Sequence, residues 1–464
     1  MSQVNNVLFE KTPIPKAVGK LVVPTILSSL VMVLYNLADT FFVGQLNNAV
    51  QNAAVTLAAP VLLAFNAVNN LFGVGSSSMM SRALGWKEYD TVRKSASFGL
   101  YCSFASGLLF SLLCLCFFQP LLGMLGADAN TAEATAGYLG WTVICGAAPS
   151  ILNVVMAYLV RAEGNALQAS IGTMSGCLLN IVLDPIFIFP WGFNMGAAGA
   201  GLATFLSNCV ACVYFFVLLY RRRAKTLISL HPKYFHMDKR IAGAVCGVGV
   251  PAAIQNLLNV TGMTILNNFT AVYGADAVAA MGIAQKVYMV PMQISQGATQ
   301  GVMPLVSYAY ASKNYGRFRD AIVFLVRLMI PVMLVVAVAG WLGASGLIRL
   351  FIGDEEVIRY GVGFFQALVI AVPFLVLDFL VVGVCQAIGR GLTSLIFAIC
   401  RKVVLEIPAT VILNAVAGVS ALAYGAFTAE FVMSVICTLT LLRIMKKFKA
   451  SLGKDTSAAP SAAD

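Results

Sequence analysis

Twelve predominantly apolar stretches, separated by short polar segments, follow one another along the 464 residues. They fall at 18–44, 53–80, 94–118, 137–160, 166–190, 196–220, 241–269, 276–306, 318–345, 358–386, 393–417 and 420–444. An apolar run of about twenty residues is long enough to cross a bilayer as a helix, which satisfies its own backbone polar groups. Strands of a membrane barrel would be shorter and would alternate apolar with polar positions. The pattern therefore predicts an all-α integral membrane protein of twelve transmembrane helices.

The polar segments repeat. Gly85-Trp86-Lys87-Glu88-Tyr89 followed by Arg93 resembles Ser312-Lys313-Asn314-Tyr315 followed by Arg319. Ala162-Glu163-Gly164-Asn165-Ala166-Leu167 resembles Ala387-Ile388-Gly389-Arg390-Gly391-Leu392, and Pro24 falls near Pro251. Two halves of six spans account for this: a first bundle over 1–220, a basic linker over 221–240 and a second bundle over 241–445. Six is even, so both halves insert the same way round and their pseudo-twofold axis runs along the membrane normal. Such paired bundles around a central cleft suit a transporter in which one half rocks against the other. The tail 446–464 ends in Ser, Ala, Pro and Asp and is expected to be disordered.

Composition agrees with the pattern. The chain is 59% hydrophobic and only 11% charged, with a mean hydropathy of +0.86, whereas a soluble chain carries about a quarter charged residues. The net charge of +11 does not point to nucleic acid, because the basic residues cluster between the spans. Twenty-four of the 30 Lys and Arg residues lie at the N-terminus, the C-terminus and the loops after the even-numbered spans. Basic loops mark the cytoplasmic side, so both termini are expected there. The first twenty residues lack the apolar core of a cleavable signal. The eleven cysteines lie almost all within apolar spans, and Cys209-x-x-Cys212 has no second pair, so they read as small packing side chains.

Ionisable groups inside the spans carry the candidate chemistry, since a charge at mid-membrane costs about 3 kcal/mol on insertion scales. In span 5, Asn180 and Asp184 are four residues apart and share a helical face; in span 1, Tyr35 and Asp39 do the same, beside Asn36. Thr204 in span 6 can point into the same bundle. Two carboxylates in one low-dielectric site cannot easily both carry charge. The pair can take up and release one proton, or hold sodium with Asn180 and Thr204 supplying neutral oxygens. In the second half Asp378 leads, with Asn259 nearby, as a substrate or second cation site; structural pairing with Lys286 is the competing expectation. Glu406 precedes Pro408 and is expected to form an ion pair near a helix break at Arg401, and Glu430 has no evident partner. Met289 and Met292, with Phe65, Tyr288, Phe374 and Phe379, suit an adaptable apolar cavity. Pro24 and Pro185-x-x-x-x-Pro190 are expected to bend or break their spans.

No phosphate-binding loop, HExxH or GxSxG motif is present, and His231 and His236 lie in the linker. The chain is not expected to be an enzyme or to need a cofactor. Without a nucleotide-binding motif, transport would draw on an ion gradient.

Tyr35-Asn-Leu-Ala-Asp39, Arg161-Ala-Glu-Gly164-Asn165, Asn180-Ile-Val-Leu-Asp184-Pro185, Gly196-Ala-Ala-Gly to Thr204, and Gln386-Ala-Ile-Gly389 with Arg401 occur together in this order. In that combination the chain resembles the MATE (multidrug and toxic compound extrusion) family over nearly its full length. It looks closest to the prokaryotic branch with paired aspartates in the N-terminal half. The resemblance implies a monomeric antiporter of the prokaryotic plasma (inner) membrane, in contact with lipid. It would export organic cations or amphipathic compounds in exchange for H+ or Na+. Carried over, the cation site would be Asp39, Asn180, Asp184 and Thr204. Asp378 matches an acidic second-half position, and Asn259 stands where one branch has Glu, which favours coupling through the first half. The alternative is a lipid-linked oligosaccharide flippase of related fold, but buried acids outnumber buried bases, which favours a cationic cargo.

Overall fold

Each apolar run becomes one long helix or one bent helix. The computed structural model describes residues 7–46 and 48–457, and all regular structure among them is helical. The first six spans are α1 (Ile14–Gly44), α2 (Ala49–Gly85), α3 (Tyr89–Cys116), α4 (Ala132–Cys145 continued by Ala147–Ala162), α5 (Ala166–Ile188) and α6 (Ala197–Arg221). The second six are α7 (Lys239–Ala271), α8 (Ala275–Ala311), α9 (Tyr315–Arg349), α10 (Glu355–Ile370 continued by Val372–Ala387), α11 (Gly391–Ile399, Cys400–Glu406 and Ile407–Ala417) and α12 (Tyr424–Ser457). Ten of them are long and apolar enough to cross a membrane by themselves, counting α4 and α10 as single bent spans. The remaining two, α8 and α11, are diluted by polar residues such as Gln285, Lys286, Arg401 and Lys402, and these helices line interior surfaces of the second bundle.

Within the first bundle α1 packs on α5, α5 on α6, and α2 on α3 and α4; within the second, α8 packs on α9 and α10, α7 on α11, and α12 on α10 and α11. Spans 4 and 10 are not straight. α4 turns by 50° at Gly146 and α10 by 48° at Ala371, positions separated by the same offset as the loop repeat. Each bend lies just before a proline, Pro149 or Pro373, whose ring clashes with the carbonyl four residues back. The turn Gly140–Cys145 ahead of Pro149 and the turn Cys400–Glu406 ahead of Pro408 are π-helical, which widens the backbone ring at those points. By contrast, Pro24 and Pro185 interrupt nothing: α1 runs through the first, and α5 runs through the second to Ile188. The expected break in span 5 is therefore absent, and the chain turns only at Phe189 and Pro190. The C-terminal segment also departs from expectation. Its helix continues past Lys446 to Ser457, and 458–464 lie outside the described residues.

The two bundles meet along α2–α7 and α1–α8. Glycines bring the backbones together there: Gly249 of α7 lies against the Leu71 carbonyl of α2, and Gly75 of α2 against the Val245 carbonyl of α7. A Cβ at Gly249 would overlap that oxygen, so Gly249→Ala is expected to destabilise the protein by about 1–3 kcal/mol, as overpacking usually does. Gly19→Ala, on α1 with open space around it, should be neutral or slightly stabilising. Thermal unfolding of the two variants in detergent tests the contrast.

The basic side is held by polar contacts. Ser78 Oγ donates to the Gln386 carbonyl across the seam. Tyr308 donates to Glu10 (2.6 Å), and Arg317 donates to the Leu8 and Thr12 carbonyls (3.2 and 2.9 Å). Phe9, in the short helix Val7–Glu10, stacks on Tyr308 at 5.0 Å. The linker is held by Glu163, which accepts from Thr226 Oγ1 and the Leu227 N–H, both at 2.6 Å. Burial outweighs these hydrogen bonds and pushes the Glu163 carboxyl up to about 6. A raised folded-state value means the group favours folding below its unfolded value and loses that contribution as pH rises through about 6. Stability should thus fall by about 2 kcal/mol between pH 4.5 and 7 from this group, and Glu163→Gln should flatten that slope in pH-dependent unfolding.

Candidate functional site

Four helices of the first bundle converge on one polar cluster. Helix α5 presents Asn180 and Asp184, 2% and 0% exposed, because their four-residue spacing puts both on its inner face. Helix α1 presents Tyr35 and Asp39 by the same spacing, and α6 presents Thr204. With the Asn180 amide oriented by the hydrogen bonds open to it, Nδ2 donates to Asp184 Oδ2 (2.8 Å) and Oδ1 accepts from Thr204 Oγ1 (3.3 Å) and its backbone N–H (3.1 Å). Tyr35 hydrogen-bonds with Thr204, and Asp39 lies within electrostatic reach of Tyr35 and Asp184. All five residues singled out in the first half are thus brought together.

One oxygen of each carboxylate, Asp39 Oδ1 and Asp184 Oδ1, is buried without a hydrogen-bond partner. Buried polar oxygens are normally satisfied, so the cluster has acceptor capacity for a proton or a small cation. A sixth member, Tyr138 of α4, is 4% exposed and feels both aspartates. Its signal in the sequence is weak, a single Tyr early in a span whose bend the apolar pattern does not show.

The second half is arranged differently. Asp378 of α10 is 1% exposed and pairs with Arg401 of α11, Nε to Oδ2 at 3.3 Å. The same guanidinium binds Glu430 of α12 (2.9 Å) and Asn259 of α7, and lies over the Phe379 ring. Cys437 Sγ is 3.9 Å from Asp378 Oδ1. The expected pairing of Asp378 with Lys286 is not formed, and Lys286 is exposed. Glu406 forms the expected ion pair, with Lys402 at 2.6 Å, and the helix there is π-helical rather than broken. Glu430, for which no partner was foreseen, is a full member of the cluster. Arg401 lies ten residues beyond Gly391, the first residue of α11, about 15 Å into the helix, and sits among three acceptors.

Between the bundles lies a cavity of about 570 Å³, including its opening, walled by amides: Asn70, Gln255, Asn256, Asn259, Gln296 and Gln300 among others. Phe379 and Met303 add apolar surface, and its lining includes no Lys, Arg, Asp or Glu. Asn259 reaches it, whereas Asp378, Met289 and Met292 do not line it; Met292 packs on the hydrophobic core. Cavities of a few hundred Å³ with scattered polar groups are the size that small organic ligands occupy.

A family model described as MatE matches residues 24–186 and 251–412. The multidrug export protein MepA of Staphylococcus aureus (strain MRSA252) is 31% identical over 451 residues, which is 97% of either chain. MepA of Staphylococcus haemolyticus (strain JCSC1435) is 31% identical over 453 residues, 96% of this chain and 97% of that one. A solved structure described as the outward-facing conformation of a multidrug resistance MATE family transporter of the MOP superfamily has a TM-score of 0.91 at 25% identity, covering 97% of this chain and 100% of that one.

Proposed function

The chain belongs to the MatE family of multi-pass membrane transporters, and on that premise we propose that it exports cationic or amphipathic organic compounds in exchange for H+ or Na+. The observation that carries the coupling is the pair of unsatisfied buried oxygens on Asp39 and Asp184, two carboxylates within electrostatic reach of one another in a cluster with Asn180, Thr204 and Tyr35. A proton fits as the structure stands, with Asn180 donating to Asp184. Sodium would ask the same amide to turn its oxygen toward the carboxylates, with Thr204 adding a further neutral oxygen. The amide-lined cavity between the bundles would receive the cargo, and its mixed walls suit compounds of varied shape.

With the basic side taken as cytoplasmic, the contacts across the seam there, such as Ser78 Oγ to the Gln386 carbonyl, support a reading as the state closed toward the cytoplasm. Ion binding at the paired aspartates would bias the exchange between this state and the opposite one, which is how a gradient is converted into export. A flippase reading lacks support: the cavity offers no basic side chain to a pyrophosphate, and the relatives are named as multidrug export proteins.

The test is purified protein in liposomes with a fluorescent cationic dye, under a pH gradient and a sodium gradient imposed separately. Dye movement driven by one gradient and collapsed by the matching ionophore supports the proposal and names the ion. Movement indifferent to both gradients would overturn the coupling.

A further inference from the structure

On the basic side of the seam, one guanidinium is buried without a counter-charge. Arg161, in the last turn of α4, is 7% exposed; its Nε has no hydrogen-bond partner, and its recorded neighbour is the Tyr158 ring at 5.6 Å. No carboxylate among the described residues pairs with it. The nearest in sequence, Glu163, is committed to the linker through Thr226 and Leu227. Arg82, close by on α2, also has an unpartnered buried nitrogen. Arginine stays protonated in proteins, and an unpaired buried charge is costly. The C-terminal carbonyls of α4 compensate it only in part.

Arg161 lines a small cavity shared by both bundles. Tyr158, Ser77 and Ser81 come from the first, and Gln300 and Ser307 from the second. The hydroxyls of Ser77, Ser78, Ser81 and Ser307 donate to backbone carbonyls. The lining side-chain donors not so engaged are the Arg161 guanidinium, the Tyr158 hydroxyl and the Gln300 amide. The cavity holds about one water-sized occupant.

We propose that this cavity is a binding site for a small inorganic anion of the halide class, held by Arg161 and Tyr158 from one bundle and Gln300 from the other. The ion neutralises the stranded guanidinium and ties the bundles together, favouring the state closed on the basic side. The site is separate from the paired aspartates and does not depend on the identity of the coupling ion.

Full-length protein in detergent is titrated with sodium bromide against sodium gluconate at constant ionic strength, following thermal unfolding, and crystals grown in bromide are examined for anomalous scattering. A saturable rise of a few degrees with bromide, and an anomalous peak beside Arg161, are expected. Arg161→Gln should abolish the rise. Gln300→Leu, on the opposite bundle, should raise the half-saturating bromide concentration by about tenfold, the loss of one hydrogen bond to a charged group. It also serves should Arg161→Gln fail to fold. Equal unfolding in bromide and gluconate, a rise that survives in Gln300→Leu and Arg161→Gln alike, or a peak elsewhere would each overturn the site.

Discussion

Asp184→Asn should abolish ion-driven export while the protein still folds and inserts. Asparagine keeps the shape of the side chain and retains an oxygen to accept the 2.8 Å hydrogen bond from Asn180, so the packing of α5 against α1 and α6 is undisturbed. What it removes is the unsatisfied oxygen that can take a proton or share a cation with Asp39. Coupling free energies between sites typically correspond to about 5- to 150-fold in affinity, and gradient-driven dye accumulation should fall by that order. Asp39→Asn should do the same. Because the two carboxylates form one binding unit, the double variant should be no worse than either single one. The measurement is dye export from liposomes under an imposed gradient, with thermal unfolding as the control for folding. Strictly additive losses in the double variant, or unchanged export by Asp184→Asn, would refute the shared site.

That site was legible because its members announce themselves locally. Asp39 and Asp184 are charged residues in apolar runs, and each has a helpful neighbour, Tyr35 or Asn180, one helical turn away. Such spacing fixes a shared face wherever the helix goes. Tyr138 was not legible, because its approach depends on where α4 lies against α1 and α6, and on a bend at Gly146 that a periodicity cannot show. The twelve-span topology and the two-bundle repeat were likewise carried by local signals, apolar length and recurring loop motifs. The second half misled for the opposite reason. Arg401 and Glu430 lie 29 residues apart on different helices, and only their packing reveals that Asp378 already has a partner. A count of buried acids against buried bases gave the sign of the interior charge but not who pairs with whom. The break expected at Pro185 was over-read. Pro24 and Pro185 stay inside continuous helices, while the two large bends, at Gly146 and Ala371, lie just before Pro149 and Pro373.

Arg401→Leu should be among the most destabilising single substitutions in the protein. The guanidinium is 4% exposed and serves Asp378, Glu430 and Asn259 at once, joining α7, α10, α11 and α12. Removing it strands two buried carboxylates, and breaking a buried ion pair from one side costs about 3–5 kcal/mol. The loss should be largely recovered by adding Asp378→Asn and Glu430→Gln, since an all-neutral cluster carries no uncompensated charge and such replacements are often nearly neutral overall. The same series decides what Asp378 is for. If it serves Arg401, Asp378→Asn lowers stability, yet the surviving protein still exports dye under a gradient. If it is a second cation site, the substitution leaves stability nearly unchanged and removes export. Thermal unfolding and liposome export on the single and triple variants separate the two. The geometry favours the first outcome: both Asp378 oxygens are engaged, one by Arg401 and one by Cys437, whereas Asp39 and Asp184 each keep one free. A coupling site needs a vacancy that an ion can fill and leave. The first bundle has that vacancy, and the second has filled it with its own arginine.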